Sequence, residues 1–575
     1  MLVITAISGV GCLFTRAATK IVPTMTTAQS PQPAQQTPLL VFSTYLGGSN
    51  ACFPGGYALT FAQNAACDAQ GNIYVTGGTQ VSDLPVLNAY QPGPAALSTM
   101  SAFVAKYNPA GQLLWCTYLG GNQQSLGVGV AAMPDGGVVV AGLTTSDALG
   151  PFPTTITAFQ GQNNGQSDYF VTVFDANGNL RYSTYLGGSG VEGTPPPNTF
   201  ADDSNNGNNV AVDADGLVYV TGFTSSGGGG RAIKFPVTLN ALQSDLAGSR
   251  DAFLCIIDPT KSGGNSLVYA SFLGGDSDDK GHSVAVDGLG RFITVAGFTS
   301  SSDFPTTANA YRRLAPPAGF ISNGFVTQIE SSQPGSLSSL YTMIYSTYLG
   351  ADTNVARDDT YGVTLDSEGL IVATGRTQSA DFPMTLWGVP TIFDRAPYLQ
   401  AGTSGDEPYL VKIDPALNGA ASLVYSTFLG GGSADGQWGS FCTSVGVDSL
   451  GRVYVAGETC APGVQYVPSG QPVQAPEEFP YTQDALLPAL QGSWDAIFIQ
   501  IDPGGATLGY STYLGGKDND RTYGLAVDPA GNVVLTGLTF SADFPLRNPA
   551  QTWPGNAGCQ NAFVTKFSAL ADGDR

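Results

Sequence analysis

The feature that most constrains this chain is a pattern that occurs seven times. A short apolar run is followed by a turn, usually Asp-x-x-Gly, and by a second apolar run that ends in Thr-Gly or Ala-Gly. A polar loop closed by Phe-Pro or Leu-Pro completes the pattern. The seven copies are Ala65–Pro85, Val130–Pro153, Val210–Pro236, Val284–Pro305, Val363–Pro383, Val445–Pro480 and Leu525–Pro545. Repetition at a long spacing predicts an array of one structural unit.

The third copy shows what the pattern encodes. Val210-Ala-Val and Val218-Tyr-Val are β-branched apolar runs separated by turn residues, which predicts a β-hairpin. Asp213 can accept hydrogen bonds from backbone N–H groups ahead of it, and Gly216 supplies the positive φ of a tight turn. Six copies have this Asp-x-x-Gly turn, and one has Met133 and Gly136 instead. We interpret these turns as structural rather than as metal-binding loops.

Two more strands are predicted in each unit. One usually begins with an aromatic residue, as in Phe103-Val-Ala-Lys and Phe170-Val-Thr-Val. The other is the phrase YSTYLGG or a close variant, which ends at Gly188 in one copy and at Gly516 in another. Four strands in each of seven units predict an all-β fold, a seven-bladed β-propeller with four-stranded antiparallel blades.

The phrases YSTYLGG, VAVDxxGxVYVTG and SADFP closely resemble the bacterial SBBP repeat, which is named for a seven-bladed β-propeller. The resemblance covers about residues 39–567. It implies the propeller fold and an extracytoplasmic setting. The family has no shared catalytic residues to transfer to this chain.

The order of the strands predicts how the ring closes. We name the strands of a unit A, B, C and D, where A and B form the hairpin, C is the aromatic strand and D carries YLGG. The array opens with a lone D strand at Val41–Leu46 and closes with a C strand at Phe563–Phe567. We therefore expect the N-terminal strand to complete the last blade, which leaves no exposed edge at the closure.

Composition and terminal segments give further expectations. Residues 1–22 are expected to be a signal peptide, residues 23–38 a linker rich in Pro, Gln and Thr, residues 39–568 the propeller, and residues 569–575 a tail. With 22 Lys plus Arg and a net charge of −22, the chain is not expected to bind nucleic acid. No transmembrane segment is expected, and we predict an exported monomer at an extracytoplasmic location.

Eight cysteines in a chain expected to be exported predict disulfides. Cys442 precedes strand A of its unit and Cys460 follows strand B, so the hairpin predicts a Cys442–Cys460 bond. Cys52 follows the N-terminal D strand and Cys559 precedes the last C strand, so a Cys52–Cys559 bond would fasten the ring. The remaining cysteines considered lie inside strands and are interpreted as buried thiols: Cys67, Cys116 and Cys255.

The chain has one histidine, His282, so metal sites built from three histidines are excluded. We interpret His282 as a surface residue of a D–A loop rather than as a catalytic base. Other copies have different residues at this position: Asn208, Tyr361, Thr443 and Tyr523.

A small hydrogen-bonding residue stands five positions before each strand A. These residues are Thr60, Ser125, Asn205, Asp279, Asp358, Ser440 and Asp520. A role in tying the backbone explains the whole set. The weaker alternative is a Ca²⁺ site at Asp279, Asp358 and Asp520. No other cofactor is expected.

Charged residues replace small or apolar ones at one position of two neighbouring units. The residue after the strand-B glycine is Arg376 in one unit and Glu458 in the next. The nearby D–A loop contains Asp435 and Trp438. The five other copies have Gly78, Leu143, Phe223, Phe298 and Leu538. One interpretation is a salt bridge between blades. The other is a ligand site formed by Arg376, Asp435, Trp438 and Glu458.

These observations favour a non-enzymatic scaffold that binds a glycan, peptide or protein partner on its loop-rich face. Two alternatives stay open. Paired carboxylates could support a glycoside hydrolase or lyase on the same fold, or the chain could be a structural envelope module.

Overall fold

Seven four-stranded antiparallel sheets, one for each copy of the repeat, form the blades of a propeller. The computed structural model describes residues 39–49, 59–97, 99–193, 207–227, 231–315, 321–350, 357–379, 382–385, 406–431, 439–466, 478–554 and 559–569. The predicted seven-bladed β-propeller is confirmed. Strand A of each blade is the innermost and strand D the outermost.

The strand bounds follow the predicted units. Blade 1 contains β2 (Thr60–Cys67), β3 (Ile73–Thr79), β4 (Ser101–Tyr107) and β5 (Leu113–Leu119), and blade 2 contains β6 (Ser125–Ala132), β7 (Val138–Thr144), β8 (Asp168–Phe174) and β9 (Leu180–Leu186). Blade 3 contains β10 (Val210–Val212), β11 (Val218–Thr224), β12 (Asp251–Ile257) and β13 (Leu267–Leu273), and blade 4 contains β14 (Asp279–Val286), β15 (Phe292–Thr299), β16 (Asn323–Ser331) and β17 (Tyr341–Leu349). Blade 5 contains β18 (Asp358–Leu365), β19 (Ile371–Thr377), β20 (Glu407–Ile413) and β21 (Leu423–Phe428), and blade 6 contains β22 (Phe441–Val447), β23 (Val453–Thr459), β26 (Asp495–Ile501) and β27 (Leu508–Leu514). Blade 7 contains β28 (Asp520–Val527), β29 (Val533–Thr539), β30 (Asn561–Phe567) and β1 (Leu40–Leu46).

Strand β1 closes the ring as predicted. It pairs antiparallel with β30 and supplies the D strand of blade 7, with Thr44 opposite Val564 and Tyr45 opposite Phe563. Ser43 and Thr565 share a hydrogen bond of 2.8 Å between their hydroxyls. The first and last strands are therefore joined through backbone and side-chain contacts in one sheet.

The Asp-x-x-Gly turns have the structure expected of them. Asp213 Oδ1 accepts hydrogen bonds from the N–H groups of Asp215 and Leu217, at 3.0 and 2.9 Å. Gly216 has φ +82° and donates its N–H to the carbonyl of Asp213. The carboxylate and the glycine thus both serve the turn, which confirms its structural interpretation.

The Phe-Pro and YLGG phrases pack against the same blade. In blade 4, Phe304 stacks on Phe325 of strand C with centroids 4.5 Å apart. The hydroxyl of Tyr348, in strand D, donates to the carbonyl of Ser301 at 2.9 Å and accepts from the N–H of Phe304 at 2.9 Å. The two phrases recur together because each tyrosine anchors the loop that carries the phenylalanine.

Every strand A except the short β10 contains a β-bulge at the same position. In blade 5 the register shifts between Thr360 and Gly362, so Tyr361 is the extra residue. The bulge brings the carbonyl of Asp359 toward strand B, where a Cβ on Gly375 would lie only 2.0 Å from that oxygen. Close approach to strand A explains why strand B has glycine in its Thr-Gly or Ala-Gly ending.

The B–C loops run back along the outermost strands. In blade 1, Leu87 and Cys116 exchange backbone hydrogen bonds of 3.2 and 2.9 Å. Equivalent contacts occur in the other blades, for example between Thr238 and Ala270. The loops therefore cover the D-strand edges, which would otherwise expose unpaired backbone groups.

The long insert of blade 6 follows the same path. Strands β24 (Gly463–Gln465) and β25 (Phe479–Tyr481) form a parallel pair, and Thr482 donates its N–H to the carbonyl of Ser511 in strand D. The described part of the insert therefore extends the outer edge of blade 6.

Helical structure in the described residues consists of two short 3₁₀ turns, Gly263–Ser266 and Gly419–Ser422. In the part of the chain that the structure describes, no helix has the length and apolar character needed to cross a membrane.

Candidate functional site

Arg376 lies in β19, next to the strand-B glycine, and is 5% exposed. Its Nε and Nη2 donate to Oδ2 of Asp359 at 3.1 and 3.0 Å, and its Nη1 donates to Oδ2 of Asp406 at 3.3 Å. The guanidinium lies 5.6 Å from the ring centroid of Tyr361 and 5.9 Å from that of Phe441. Contacts within the propeller therefore hold this arginine in place.

Asp359 is fully buried and connects several of these groups. Besides the two bonds from Arg376, its Oδ2 accepts a hydrogen bond from the hydroxyl of Tyr361 at 3.1 Å and pairs with Nε of Arg357 at 2.8 Å. Burial opposes ionisation of the carboxyl, but Arg376 and Arg357 outweigh it and lower the pKa of Asp359. The group is thus an ionised carboxylate in a buried ion-pair network.

Glu458 lies in β23 of the next blade and is 1% exposed. Its Oε2 is 3.4 Å from Nε of Arg521 in blade 7, so this glutamate does form an ion pair between blades. The ion-pair partners described for Arg376 are instead Asp359 and Asp406. The aromatic residue Phe441 lies opposite Glu458 in the ladder and beside the guanidinium of Arg376. The predicted inter-blade salt bridge thus exists for Glu458, but with a different partner.

The structure extends this set of charges beyond the two residues that the sequence singled out. At the matching level of blades 4 to 7, strands A and B carry five charged residues, which we call the charged belt: Lys280, Asp359, Arg376, Glu458 and Arg521. Lys280 lies over the rings of Phe223 and Phe298, at 4.8 and 5.3 Å. The residue after each small hydrogen-bonding residue that precedes strand A could have been compared between the copies. That comparison would have identified Lys280, Asp359 and Arg521 from the sequence.

Asp435 and Trp438, the other two candidate ligand residues, lie outside the described residues. The structure therefore brings together the charged belt, and the aromatic part of the predicted ligand site stays a prediction.

The three aspartates considered for Ca²⁺ lie in three different blades and tie the chain as the structural interpretation expects. Asp279 Oδ2 accepts hydrogen bonds from the N–H of Gly275 and the hydroxyl of Ser301, both at 2.8 Å. Asp520 likewise accepts hydrogen bonds from the N–H of Gly516 and the hydroxyl of Ser541. Asp358 accepts hydrogen bonds from the hydroxyls of Thr377 and Ser379. Burial raises the pKa of both Asp279 and Asp520 to about 7. Within the described ranges no group of three or more His, Cys, Asp or Glu side chains is arranged to hold a metal ion.

The predicted Cys442–Cys460 disulfide is not formed in the structure. The bulge after Cys442 sets this residue opposite Gly457, three residues before Cys460. Three residues of strand span about 10 Å, whereas the Cα atoms of a disulfide lie within about 7 Å. Burial raises the pKa of the Cys442 thiol well above its usual range. The Cys52–Cys559 prediction involves Cys52, which lies outside the described residues.

His282 is not the surface residue that the sequence predicted. It is the bulge residue of β14 and is 3% exposed. Its Nδ1 is 3.1 Å from the carbonyl oxygen of Thr360, and its ring stacks on Tyr361 at 5.2 Å. Burial lowers the pKa of His282 to about 4. Hydrophilic loop composition suggested exposure, but the extra residue of a bulge turns inward here.

A cavity of about 370 Å³ lies along the axis, between the inner strands. The second halves of the seven A strands line it, and small residues stand at the middle position of the lining segments: Ala66, Ala131, Ala211, Ala285, Thr364, Gly446 and Ala526. A Cβ on Gly446 would lie 2.8 Å from side chains of Leu525 and Val527 in the next blade. Gly446 therefore lets the inner strands of blades 6 and 7 pack closely.

The two ends of this axial cavity differ. Toward the A–B turns the lining becomes partly exposed, as at Ala211 and Thr364. Toward the D–A loops the bulge residues are buried: Gln63, Val128, His282, Tyr361, Thr443 and Tyr523. Asn208 contributes a polar group to the lining, and its Oδ1 has no hydrogen-bond partner. The cavity is thus a recess with mostly small apolar side chains but a mainly polar accessible surface, and it opens toward the turn face.

Residues 509–545 match the family model of SBBP, a beta-propeller repeat. The chain carries an SBBP repeat. The matched SBBP repeat begins in β27 of blade 6 and ends after β29 of blade 7, so the repeat in sequence straddles two blades. This offset is what the closure by β1 requires.

No curated protein matches the chain. Among solved structures, the crystal structure of puromycin hydrolase aligns with 88% of this chain and 53% of that chain, at 10% sequence identity and a TM-score of 0.35. The chain thus spans about half the length of that protein.

Proposed function

We propose that this protein is an exported, non-enzymatic scaffold that binds a glycan or peptide in its axial cavity. The cavity between the seven A strands is the observation that carries the proposal. Its volume of about 370 Å³ is within the range of about 300–1,000 Å³ that is usual for ligand pockets.

The chemistry of the lining supports a small number of specific contacts. Alanine and valine side chains provide most of the wall, which favours apolar surface such as a sugar face or an apolar peptide side chain. Polar side chains are few in the lining and include Asn208, Ser283, Thr364 and Ser444. The partly exposed turn end gives a ligand access.

The loop-rich face is the less favoured location. Arg376 and Glu458 were its charged candidates, but both are buried and engaged in ion pairs with Asp359, Asp406 and Arg521. A protein partner that binds this face through Asp435 and Trp438 is the second candidate.

The contacts of the acidic and basic groups support binding rather than hydrolysis. Glycosidases need a carboxyl pair that flanks the substrate. The described acid pairs, such as Asp168 with Glu192, are buried between blades and do not line the axial cavity. His282 is buried as well, with one ring nitrogen engaged by Thr360.

Glycan and peptide arrays, read in parallel with a turnover assay, provide the first test. For each ligand found, Thr364→Phe should narrow the cavity and weaken binding at least about tenfold, or 1.4 kcal/mol. Thr342→Phe is the matched control, because Thr342 is exposed on the outermost strand of blade 4.

The outcomes separate the candidates. Equal weakening in the two variants, or unchanged affinity in a folded Thr364→Phe protein, contradicts the axial site. Loss of binding in Trp438→Ala with unchanged binding in Thr364→Phe moves the site to the loop-rich face. Release of cleaved product supports the hydrolase alternative.

A further inference from the structure

The first glycine of the YLGG phrases lies at a contact between two blades. At Gly120, Gly274, Gly350 and Gly515, the first residue of strand C and a polar residue at the start of the next blade approach this glycine together, and at Gly187 the strand-C residue Asp168 does so. At Gly274, a Cβ would lie 2.7 Å from Cγ of Asp251 and 2.7 Å from Oδ2 of Asp279. The glycine is required because two side chains occupy the space of its Cβ.

At three of these junctions both polar residues are acids. The pairs are Asp168 with Glu192, Asp251 with Asp279, and Asp495 with Asp520. All six carboxyls lie between packed blades, and Asp168, Glu192, Asp251, Asp279, Asp495 and Asp520 are each 0% exposed. Two charges of the same sign in such a place would cost several kcal/mol without compensation.

In the Asp168–Glu192 pair, hydrogen-bond donors of the protein use one oxygen of each carboxyl and leave the other oxygen without a donor. Asp168 Oδ2 accepts hydrogen bonds from Gln160 Nε2 at 2.6 Å and from the N–H of Asn164 at 3.0 Å. Glu192 Oε1 accepts from the hydroxyls of Thr224 and Ser226. The remaining oxygens, Asp168 Oδ1 and Glu192 Oε2, are buried and have no other donor.

In the other two pairs, the oxygen of one aspartate that meets the protein's donors is also the one that approaches the facing acid. Asp279 uses Oδ2 for Gly275 and Ser301, and Asp520 uses Oδ2 for Gly516 and Ser541. These Oδ2 atoms approach Gly274 and Gly515 together with Asp251 and Asp495. Their partners Asp251 and Asp495 accept backbone N–H groups from the loops before strand C.

We propose that each of the three acid pairs holds one proton in the folded protein at neutral pH, so that the propeller loses stability when alkaline pH removes these protons. In every pair the bound proton cancels one buried charge, and in the Asp168–Glu192 pair it also joins the two oxygens that have no other donor. A Ca²⁺ ion would need about six to eight oxygen ligands, whereas the protein's own donors already use most of the carboxylate oxygens.

The surroundings of the pairs support protonation. Burial raises the pKa of Asp168 to about 8 and that of Asp495 to about 6, and it also raises the pKa values of Glu192 and Asp251. The facing groups are tyrosines and further acids: Tyr169, Tyr185, Asp303, Tyr348, Tyr45, Tyr513 and Asp543. The nearby cations are engaged elsewhere, with Arg250 paired to Asp278 and Lys517 paired to Asp543.

The sign of the pH dependence follows from these directions. A carboxyl whose pKa is higher in the folded state than in the unfolded state binds its proton more tightly when folded. Its contribution to stability is complete below about pH 4 and is lost as pH rises to the folded pKa values of about 6 to 8.

One junction of the same chain avoids an acid pair, because an amide takes the place of one carboxyl. At Gly350, Asn323 and Asp358 approach the glycine, so an amide faces a carboxylate. The test protein therefore carries Asp168→Asn, Asp279→Asn and Asp520→Asn, which replaces one ionisable carboxyl of each pair by a neutral amide. The reverse variant, Asn323→Asp, creates a fourth acid pair as a matched control.

Melting temperatures measured from pH 5 to pH 9 test the proposal. The wild type should lose at least about 3 °C over this range, the triple variant should lose much less, and Asn323→Asp should lose more. An alkaline loss in the triple variant equal to that of the wild type overturns the proposal.

Two further measurements make the test decisive. If the triple variant does not fold, the wild type should still show the infrared carbonyl band of protonated carboxyls at pH 6, and the band should disappear by pH 9. Absence of the band at pH 6 contradicts the proposed protons. A Ca²⁺-dependent rise in the melting temperature of the wild type at pH 8, lost in single Asp→Asn variants, would show that a cation occupies the pairs.

Discussion

Asp359 and Arg376 lie directly opposite each other in the ladder of blade 5, and one carboxylate oxygen accepts hydrogen bonds from both Nε and Nη2 of the arginine. This pairing gives Arg376 a structural role within its own blade. Glu458, which the sequence pairs with Arg376 by opposite charge, belongs to a separate contact with Arg521.

The first prediction concerns the coupling of these charges. Arg376→Leu should lower the free energy of unfolding by about 3–5 kcal/mol, because it leaves the buried carboxylate of Asp359 with one fewer partner. A double-mutant cycle with Asp359→Asn should show coupling of about 0.5–3 kcal/mol, measured by denaturant unfolding. The cycle of Arg376→Leu with Glu458→Leu is the control and should be additive. Strong coupling in the second cycle would mean that the two residues act as one pair.

The second prediction concerns ring closure. Tyr45 is fully buried in β1, contacts Trp553 edge-on at 5.1 Å and donates a hydrogen bond to the carbonyl of Ser541 at 2.8 Å. Tyr45→Ala should cost about 3–5 kcal/mol of stability, as measured by chemical denaturation. Tyr90→Ala, at a site 43% exposed, is the control. Similar small losses in both variants would show that the closing strand contributes little.

The third prediction concerns Cys442. Because the thiol is fully buried and its pKa is raised, iodoacetamide should not modify it in the native protein. Peptide mapping after denaturation under non-reducing conditions should then find Cys442 alkylated. Recovery of a peptide in which Cys442 is linked to Cys460 would restore the disulfide predicted from the sequence.

The fourth prediction uses the single histidine. Burial lowers the pKa of His282 to about 4, below the ordinary histidine value of about 6.5. The unfolded chain therefore binds the proton more readily, and the contribution of His282 to stability is present above about pH 6.5 and lost as pH falls toward 4. The one imidazole Cε1–H resonance in the NMR spectrum should not titrate between pH 5 and pH 8. A midpoint near pH 6.5 would mean that the ring is exposed.

The fifth prediction concerns calcium. Asp279, Asp358 and Asp520 each accept hydrogen bonds from protein groups that fix the start of a blade. Treatment with a chelator should therefore leave the melting temperature unchanged, as followed by circular dichroism with and without added Ca²⁺. A decrease of several degrees on chelation, reversed by Ca²⁺, would instead favour a bound metal.

The candidate site could be predicted only in part. Comparing blades identified Arg376 and Glu458 as departures from the repeat, since an unusual residue type is visible in the sequence alone. The sequence did not identify their partners, because the β-bulges in strands A of blades 5 and 6 shift the register by one residue and decide which side chains meet. The same kind of bulge separates Cys442 from Cys460 and buries His282.

The sequence by itself determined the number of units, their four strands, the Asp-x-x-Gly turns and the closure by the N-terminal strand. These features depend on local alternation, turn residues and chain order, which every copy repeats. Only the tertiary structure decided which groups face each other between blades. Contacts such as Glu458 with Arg521 or Asp251 with Asp279 join residues of adjacent units, and their geometry depends on how the sheets pack around the axis.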